Sequence, residues 1–236
     1  MAADFDRLIE DANQYAQNGD WYRALDVLAE ANKLKPRDAG AVSGMAQCAL
    51  QLGKPEEALT FFQQAVVLAP DSTDVHNNLG IVQAILGKLE AAEGSYQMAI
   101  TLDPDSSQAW KNLAMLYLKQ DTRVKEGVDI LSAVVQADQT DSDAWFLLAQ
   151  CYEEVGDIDS AKELYGKALK HSPDHLSSKE ALNRLTQVDI IPERVSDLDR
   201  IARPEHAQKL ASLKSLKGLK KPTIDPASGL DDVKKN

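Results

Sequence analysis

Two consecutive stretches of equal length decide the fold of this chain: residues 39–72, AGAVSGMAQCALQLGKPEEALTFFQQAVVLAPDS, and residues 73–106, TDVHNNLGIVQAILGKLEAAEGSYQMAITLDPDS. Both carry small residues, a glycine, an aromatic residue and a proline at matching positions. The same spacing extends along the chain, because Pro36, Pro70 and Pro104 are evenly spaced and Pro173 follows at roughly twice that interval. A fixed period of this kind indicates an array of structural repeats.

Columns of similar residues run through five copies of the period. The first small-residue column is Ala12, Ala46, Gly80, Ala114 and Ala149. The second is Ala24, Ala58, Ala92, Gly127 and Ala161. The third is Ala31, Ala65, Ala99, Val134 and Ala168. Between them lies a column of large residues, Leu28, Phe62, Tyr96, Leu131 and Tyr165. Small residues permit helices to approach closely, so the columns predict helix contacts within each copy.

Each copy predicts two helices of about a dozen residues joined by a tight turn. A glycine marks this turn at Gly19, Gly53, Gly87 and Gly156, since glycine adopts positive φ without steric cost. Proline ends the second helix, and the pairs at residues 71–72 and 106–107 predict N-caps of the next one. The pattern resembles the tetratricopeptide repeat, whose period is about 34 residues. This resemblance implies an all-α, right-handed superhelical solenoid of five helix-turn-helix repeats.

The repeats are assigned to residues 5–38, 39–72, 73–106, 107–141 and 142–175. The fourth is one residue longer than the others and has Asp121, Val134 and Gln139 where glycine, alanine and proline are expected. Either a surface loop tolerates an insertion here, or a bump on the array contacts a partner. The sequence leaves both alternatives open.

The array is followed by a predicted capping helix at residues 176–188, with Ala181, Leu182, Leu185 and Val188 on one side. A stacked array exposes its last apolar face, and a final amphipathic helix covers it. We assign residues 189–221 to a basic, partly helical tail. The proline, glycine, serine and aspartate content of residues 222–236 predicts a disordered end.

Charge is segregated between the array and this tail. The whole chain has 26 basic and 37 acidic residues, a net charge of −11. Residues 1–187 alone carry 16 basic and 29 acidic residues, or −13. Between residues 200 and 221 only Glu205 is acidic, and seven residues are basic: Arg200, Arg203, Lys209, Lys214, Lys217, Lys220 and Lys221. We therefore expect the tail alone to provide any contact with a membrane surface or nucleic acid, and the acidic array disfavours such contact.

The sequence offers little catalytic chemistry. It contains no Walker-type glycine loop, no Gly-x-Ser-x-Gly elbow, no zinc ligand set and no calcium loop. His171 and His175 have a ligand spacing, but Pro173 between them breaks the helical register. His76 occupies a column of packing residues, which predicts a hydrogen-bonded core histidine. We predict a protein with no catalytic residue, no metal and no cofactor.

The two cysteines are not expected to form a disulfide. Cys48 and Cys151 take equivalent positions in repeats two and five. Packed helix axes lie roughly 8–10 Å apart, which separates these thiols beyond the reach of a disulfide. We predict reduced, buried and structural cysteines. No apolar run approaches a membrane span, and residues 1–18 lack the features of a signal peptide, so we expect a cytoplasmic protein.

The resemblance also implies a binding surface: a concave groove lined by the first helix of each repeat at positions two, five, six, nine and twelve or thirteen. Asn78 and Asn112 both take position six, which suggests a short asparagine ladder. An amide side chain has a donor and an acceptor and can pair with any peptide unit. Carried over by register, the candidate groove residues are Asp74, Asn77, Asn78, Ile81, Ile85, Lys111, Asn112, Met115, Asp143 and Phe146.

The composition of this groove constrains the partner. Lys111 is followed by Met115 and Leu147 where a carboxylate clamp for heat-shock protein tails needs asparagine, so such tails are disfavoured. An acidic to neutral groove favours a protein or extended peptide with basic or apolar side chains, and self-association stays open. The expected function is a non-catalytic protein–protein interaction scaffold or adaptor. The alternative is a peripheral adaptor whose basic tail contacts a membrane surface or nucleic acid.

Overall fold

The computed structural model describes residues 2–120 and 123–188, which form α-helices and no strand. The helices are α1 (Ala2–Gln17), α2 (Trp21–Leu34), α3 (Ala39–Gln51), α4 (Pro55–Leu68), α5 (Thr73–Ile85), α6 (Leu89–Leu102), α7 (Ser107–Leu118), α8 (Val124–Ala137), α9 (Ser142–Glu154), α10 (Ile158–His171) and α11 (Leu176–Val188). This confirms the predicted all-α helical repeat fold. Asp121, the predicted basic tail of residues 189–221 and the predicted end of residues 222–236 lie outside the described residues.

The chain divides into two compact units, one reaching Ala109 and the other beginning at Trp110. The first unit contains α1 to α6, and the second contains α8 to α11. The boundary falls inside α7, so the first three residues of that helix belong to the first unit. Each unit is described by itself below.

The turns between paired helices have the predicted backbone. Gly53 and Gly87 adopt φ angles of 74° and 72°, and the corresponding glycines of the α1–α2 and α9–α10 turns are also in the left-handed region. A side chain at these positions would be strained. The glycine spacing therefore identified real helix-to-helix turns.

Helix ends follow the prolines and the capping residues. α4 ends two residues before Pro70, and the other second helices followed by a proline end at the same distance from it. The Ser72 hydroxyl accepts the Val75 N–H at 3.4 Å, and the Ser106 hydroxyl accepts the Ala109 N–H at 3.4 Å. Such bonds satisfy amide groups that have no partner inside the helix. Both predicted capping pairs therefore supply a cap.

The predicted columns form the core. In the first unit, one buried cluster contains Ala46, Ala58, Leu59, Phe62, Leu79 and Val82. In the second unit, Leu131 and Tyr165 of the large-residue column are fully buried. Burial of one such side chain contributes about 1.5–3 kcal/mol to folding. The column alanines beside them have no exposed surface, because their small side chains let the helices pack closely.

Two glycines in the small-residue columns have a packing role. A Cβ atom on Gly80 would lie 2.6 Å from Cε1 of Tyr96. A Cβ atom on Gly127 would lie 2.9 Å from the Ala114 carbonyl oxygen and 2.9 Å from Cγ of Leu118. Alanine does not fit at either position without movement of the neighbouring atoms. Gly127 therefore allows α8 to approach α7 in the repeat that departs most from the period.

The predicted burial of three single core residues is also confirmed. Nε2 of His76 lies 2.8 Å from the Pro70 carbonyl oxygen, and the ring is buried. Cys48 and Cys151 are buried free thiols. Burial raises the pKa of both thiols, and the nearby Glu154 carboxylate acts in the same direction on Cys151. Both cysteines are therefore poor nucleophiles at neutral pH.

Candidate functional site

The predicted groove residues of the first unit lie on one face of α5. Asp74, Asn78, Ile81 and Ile85 follow at intervals of three or four residues, the spacing of neighbours on a helix surface. Asp74 is exposed, Ile85 is 57% exposed, and Asn78 and Ile81 are half-buried. Asn77 is only 8% exposed and already has a partner within the protein. Asn78 and the two isoleucines therefore offer the accessible amide and apolar surface of this helix.

Lys111, which was predicted to line the groove, is buried and forms an ion pair within the protein. Its Nζ atom lies 2.9 Å from Oδ2 and 3.2 Å from Oδ1 of Asp141, and the residue is buried. Asp141 also accepts the Ala144 N–H at 2.9 Å and so caps α9. The sequence could predict Asp141 as a cap but not its pairing with a lysine of another helix. The ammonium group of Lys111 therefore serves the internal packing of the second unit.

The two members of the predicted asparagine ladder belong to different units. Asn78 lies in the first unit, and Asn112 and Met115 lie on α7 in the second. Asn112 is half-buried and interacts with other groups of the protein. The pairing of these two amides with one peptide stays a prediction.

A cleft of about 330 Å³ lies among α9, α10 and α11 in the second unit; we call it the α11 cleft. Its α9 and α10 lining residues are Phe146, Gln150 and Tyr165, and its α11 lining residues are Ser177, Glu180, Ala181 and Arg184. The Phe146 ring lies 5.6 Å from the Tyr165 ring and 5.3 Å from the His175 ring, centroid to centroid. Such distances are typical of packed aromatic pairs. Phe146 thus contributes a fixed aromatic surface to the cleft.

The α11 cleft follows the repeat period. Counting from Leu176 as the first residue of a further period, Ser177, Glu180, Ala181 and Arg184 take positions two, five, six and nine. These are positions that the family resemblance assigns to a groove. Residues 176–188 were predicted only as a cap, so these four lining residues were not predicted, although the repeat period could have identified them.

The charges of the cleft are unevenly compensated. Nη2 of Arg184 lies 2.7 Å from Oε1 of Glu153, and the Tyr165 hydroxyl donates to Oε2 of Glu153 at 2.8 Å. Burial and the Glu153 carboxylate raise the pKa of Tyr165, which keeps the phenol protonated. Glu180 is exposed and makes no ion pair within the described part of the chain. The uncompensated charge of the cleft is therefore negative.

A serine, a histidine and an aspartate meet beside this cleft. The Ser178 N–H donates to Nδ1 of His175 at 3.2 Å, so Nδ1 is an acceptor and Nε2–H donates to Oδ1 of Asp143 at 3.0 Å. The Ser178 hydroxyl lies 2.7 Å from the same Nδ1 atom. Ser178 has no exposed surface, so a substrate cannot reach its oxygen. The arrangement caps the start of α11 and connects that helix to α9.

Among residues 2–120 and 123–188, no helix is both long and apolar enough to cross a bilayer. No group of three or more histidine, cysteine, aspartate or glutamate side chains within those ranges is placed to hold a metal ion.

Comparison with protein families agrees with the helical repeat fold. A tetratricopeptide repeat profile matches residues 15–79 and 120–185, and a second one matches residues 95–122. No curated protein sequence matches the chain.

Solved structures with a similar fold include tetratricopeptide proteins. A thermophilic tetratricopeptide protein of Thermus thermophilus has a TM-score of 0.66 at 21% identity, covering 78% of this chain and 99% of its own. The pilF protein of Pseudomonas aeruginosa has a TM-score of 0.64 at 19% identity, covering 92% and 94%. YrrB, a tetratricopeptide protein with an unusual peptide-binding site, has a TM-score of 0.54 at 24% identity, covering 74% and 89%.

Proposed function

Because the chain belongs to the tetratricopeptide repeat family, we propose that it is a non-catalytic scaffold or adaptor that binds an extended segment of a partner protein. The observation that carries this proposal is the α11 cleft, which combines a fixed aromatic surface with an uncompensated carboxylate. YrrB, which has a similar fold, has a peptide-binding site, so the architecture is suited to this use.

The cleft favours a basic or apolar side chain as the anchor of the bound segment. The stem of a lysine or arginine can pack along the Phe146 ring while its charged end approaches Glu180. The volume of the α11 cleft, about 330 Å³, is at the lower end of the range for small-molecule sites and is enough for one or two side chains. An acidic segment would meet Glu180 and the exposed Asp143 and is disfavoured.

The α5 face of the first unit offers a second contact surface of the same general kind. Asn78 can pair with a peptide backbone, and Ile81 and Ile85 can contact apolar side chains. Asp74 adds a carboxylate on the same face. These residues fit an extended partner segment that has apolar or basic side chains and an accessible backbone.

The free, buried cysteines fit a cytoplasmic protein.

The experiment is binding of an array of short synthetic peptides that differ in basic, apolar and acidic content, measured by fluorescence polarisation with the full chain. We expect basic and apolar peptides to bind and acidic ones to bind much less. Glu180→Gln should weaken the basic peptides by up to about fivefold, since an exposed ion pair contributes about 0.2–1 kcal/mol. Phe146→Ala should weaken all binders by about thirtyfold, as expected when an aromatic anchor contributing about 2 kcal/mol is removed.

Two matched controls accompany these variants. Glu154→Gln removes an exposed carboxylate of α9 that does not line the cleft, and it should leave binding unchanged. Phe146→Leu retains an apolar side chain and should retain most of the binding. Circular dichroism melts of each variant separate lost binding from lost folding. Equal binding of acidic and basic peptides, or full binding by folded Phe146→Ala, would contradict the proposal.

A further inference from the structure

The segment of residues 200–221, which lies outside the described residues, is the basic counterpart of the cleft within the same chain. It contains seven basic residues and a single acidic one. We call it the basic segment. Residues 1–187 carry a net charge of −13, so the segment has the opposite charge to the rest of the chain. Its charge fits the uncompensated carboxylate of the α11 cleft.

The distance between the segment and the cleft along the chain is short. Eleven residues separate Val188, the last residue of α11, from Arg200. A linker of this length can span about 36 Å when extended. Ser177, the lining residue farthest from the end of α11, lies about 17 Å from it along the helix axis at about 1.5 Å per residue. The linker therefore allows the basic segment to reach every α11 residue of the cleft.

We propose that the basic segment docks in the α11 cleft of its own chain and competes there with a partner segment. A lysine of the basic segment places its aliphatic stem on the Phe146 ring and its ammonium group near Glu180. Arg184 does not repel it, because Glu153 holds the guanidinium group at 2.7 Å. Docking depends only on the cleft and the segment, whereas the competition rests on the proposed function.

The tether favours this occupant over a free partner or a second copy. A short covalent connection gives a millimolar effective concentration, so even a weak contact is populated. Partner binding in the cleft then requires displacement of the basic segment. Removing the positive charges of the segment should strengthen the binding of an added peptide.

The first test is zero-length cross-linking of carboxylates to lysines in the full chain, followed by peptide mass spectrometry. We expect Glu180 to join lysines between Lys209 and Lys221 more often than Glu154 and Glu163 do, which are exposed carboxylates of the same unit. The yield should not change on dilution and should fall as salt screens the attraction. Even distribution over the three carboxylates, or a yield that falls on dilution, would overturn docking within one chain.

The second test measures competition. In a variant that we call the tail-neutral chain, glutamine replaces Lys209, Lys214, Lys217, Lys220 and Lys221. A labelled synthetic peptide of residues 200–221 should bind the tail-neutral chain about tenfold more tightly than the unaltered chain, the ratio expected for an effective concentration of about 1 mM and an intrinsic dissociation constant of about 0.1 mM. Glu180→Gln in the tail-neutral chain should weaken this binding, and Glu154→Gln should not. Equal binding to both chains, or no effect of Glu180→Gln, would overturn the inference.

The outcomes also separate this inference from the proposed function. If basic synthetic peptides bind the tail-neutral chain and the unaltered chain equally, and this binding still depends on Glu180 and Phe146, the docking is wrong and the peptide-binding scaffold stands. A different result is that Glu180→Gln and Phe146→Ala do not weaken the binding of the synthetic peptides to the tail-neutral chain, while the basic segment of the unaltered chain still cross-links to Glu180. In that case docking stands and the proposed use of the cleft fails.

Discussion

Nζ of Lys111 lies 2.9 Å from Oδ2 of Asp141, and each side chain is about one-tenth exposed. The same carboxylate accepts the Ala144 N–H at 2.9 Å and caps α9. One aspartate therefore satisfies a buried lysine of α7 and the first turn of α9. Such a pair is costly to break, because removing one partner leaves a buried charge uncompensated.

Lys111→Met and Asp141→Asn should each lower the free energy of unfolding by about 3–5 kcal/mol, the usual cost of breaking a buried pair. Asparagine retains the capping ability of Asp141. The stability lost in Asp141→Asn therefore reports mainly the buried Lys111 ammonium group that is left without its partner. Urea unfolding at neutral pH measures both. The double variant should recover part of the loss. Losses that simply add would contradict a direct pairing.

Gly80→Ala should destabilise the protein by about 1–3 kcal/mol, the usual cost of overpacking, because the new Cβ atom would lie against the Tyr96 ring. Gly94→Ala is the matched control on α6, where a Cβ atom meets nothing within 4 Å. That control should stabilise the protein by up to about 1 kcal/mol through helix propensity. Equal effects of the two substitutions in urea unfolding would contradict the close approach of α5 and α6.

Asp129 and Asp138 should shift the pH dependence of stability in opposite directions. Burial raises the pKa of Asp129, with Glu126 acting in the same direction and Lys125 opposing it. The folded-state pKa is above the unfolded one, so this group contributes stability at low pH that is lost as the pH rises through the folded pKa. Asp129→Asn should therefore raise the melting temperature at neutral pH. The gain should vanish in acid, below the ordinary pKa of aspartate.

Asp138 provides the contrasting case. Hydrogen bonds from the Thr140 hydroxyl at 2.6 Å and the Thr140 N–H at 2.8 Å lower the pKa of its carboxyl. Its contribution is present above the unfolded pKa and is lost as the pH falls through the folded pKa. Asp138→Asn should lower the melting temperature at neutral pH and have a smaller effect in acid. The same sign for both variants at neutral pH would contradict these assignments.

Both thiols should resist alkylation in the folded protein. The Cys151 thiol donates to the Leu147 carbonyl oxygen at 3.0 Å, and burial raises its pKa and that of Cys48. Iodoacetamide labelling followed by intact-mass spectrometry should show slow reaction in buffer and complete reaction in denaturant. Rapid labelling of Cys151 in the folded chain would show that α9 opens readily.

The sequence predicted those features that the repeat period determines locally. Turn glycines such as Gly53, caps such as Ser72 and buried columns such as that of Phe62 depend on residues within one repeat. The pairing of Lys111 with Asp141 could not be predicted, because it depends on the side-chain conformations of residues far apart in the sequence. The repeat register predicts that Asn77 lines the groove. The side chain is buried, which the register could not predict because burial depends on the neighbouring side chains.

The α11 cleft was missed for a different reason. Its α11 residues continue the period, but the interpretation of residues 176–188 as a cap ended the count at the fifth repeat. The connection of Arg184 to Glu153 and Tyr165 involves two other helices and gives no local sequence signal. It determines the charge of the cleft, since it leaves Glu180 as the uncompensated group.

The most direct test is chemical-shift mapping, in which one of the basic synthetic peptides is titrated into the full chain labelled with ¹⁵N. Peptide binding in the α11 cleft predicts saturable shifts of the backbone amides of Phe146, Gln150, Ser177 and Glu180, larger than those of α10 residues outside the cleft such as Glu163. Saturable binding that leaves these four amides unshifted would contradict the assignment of the α11 cleft as the peptide-binding site.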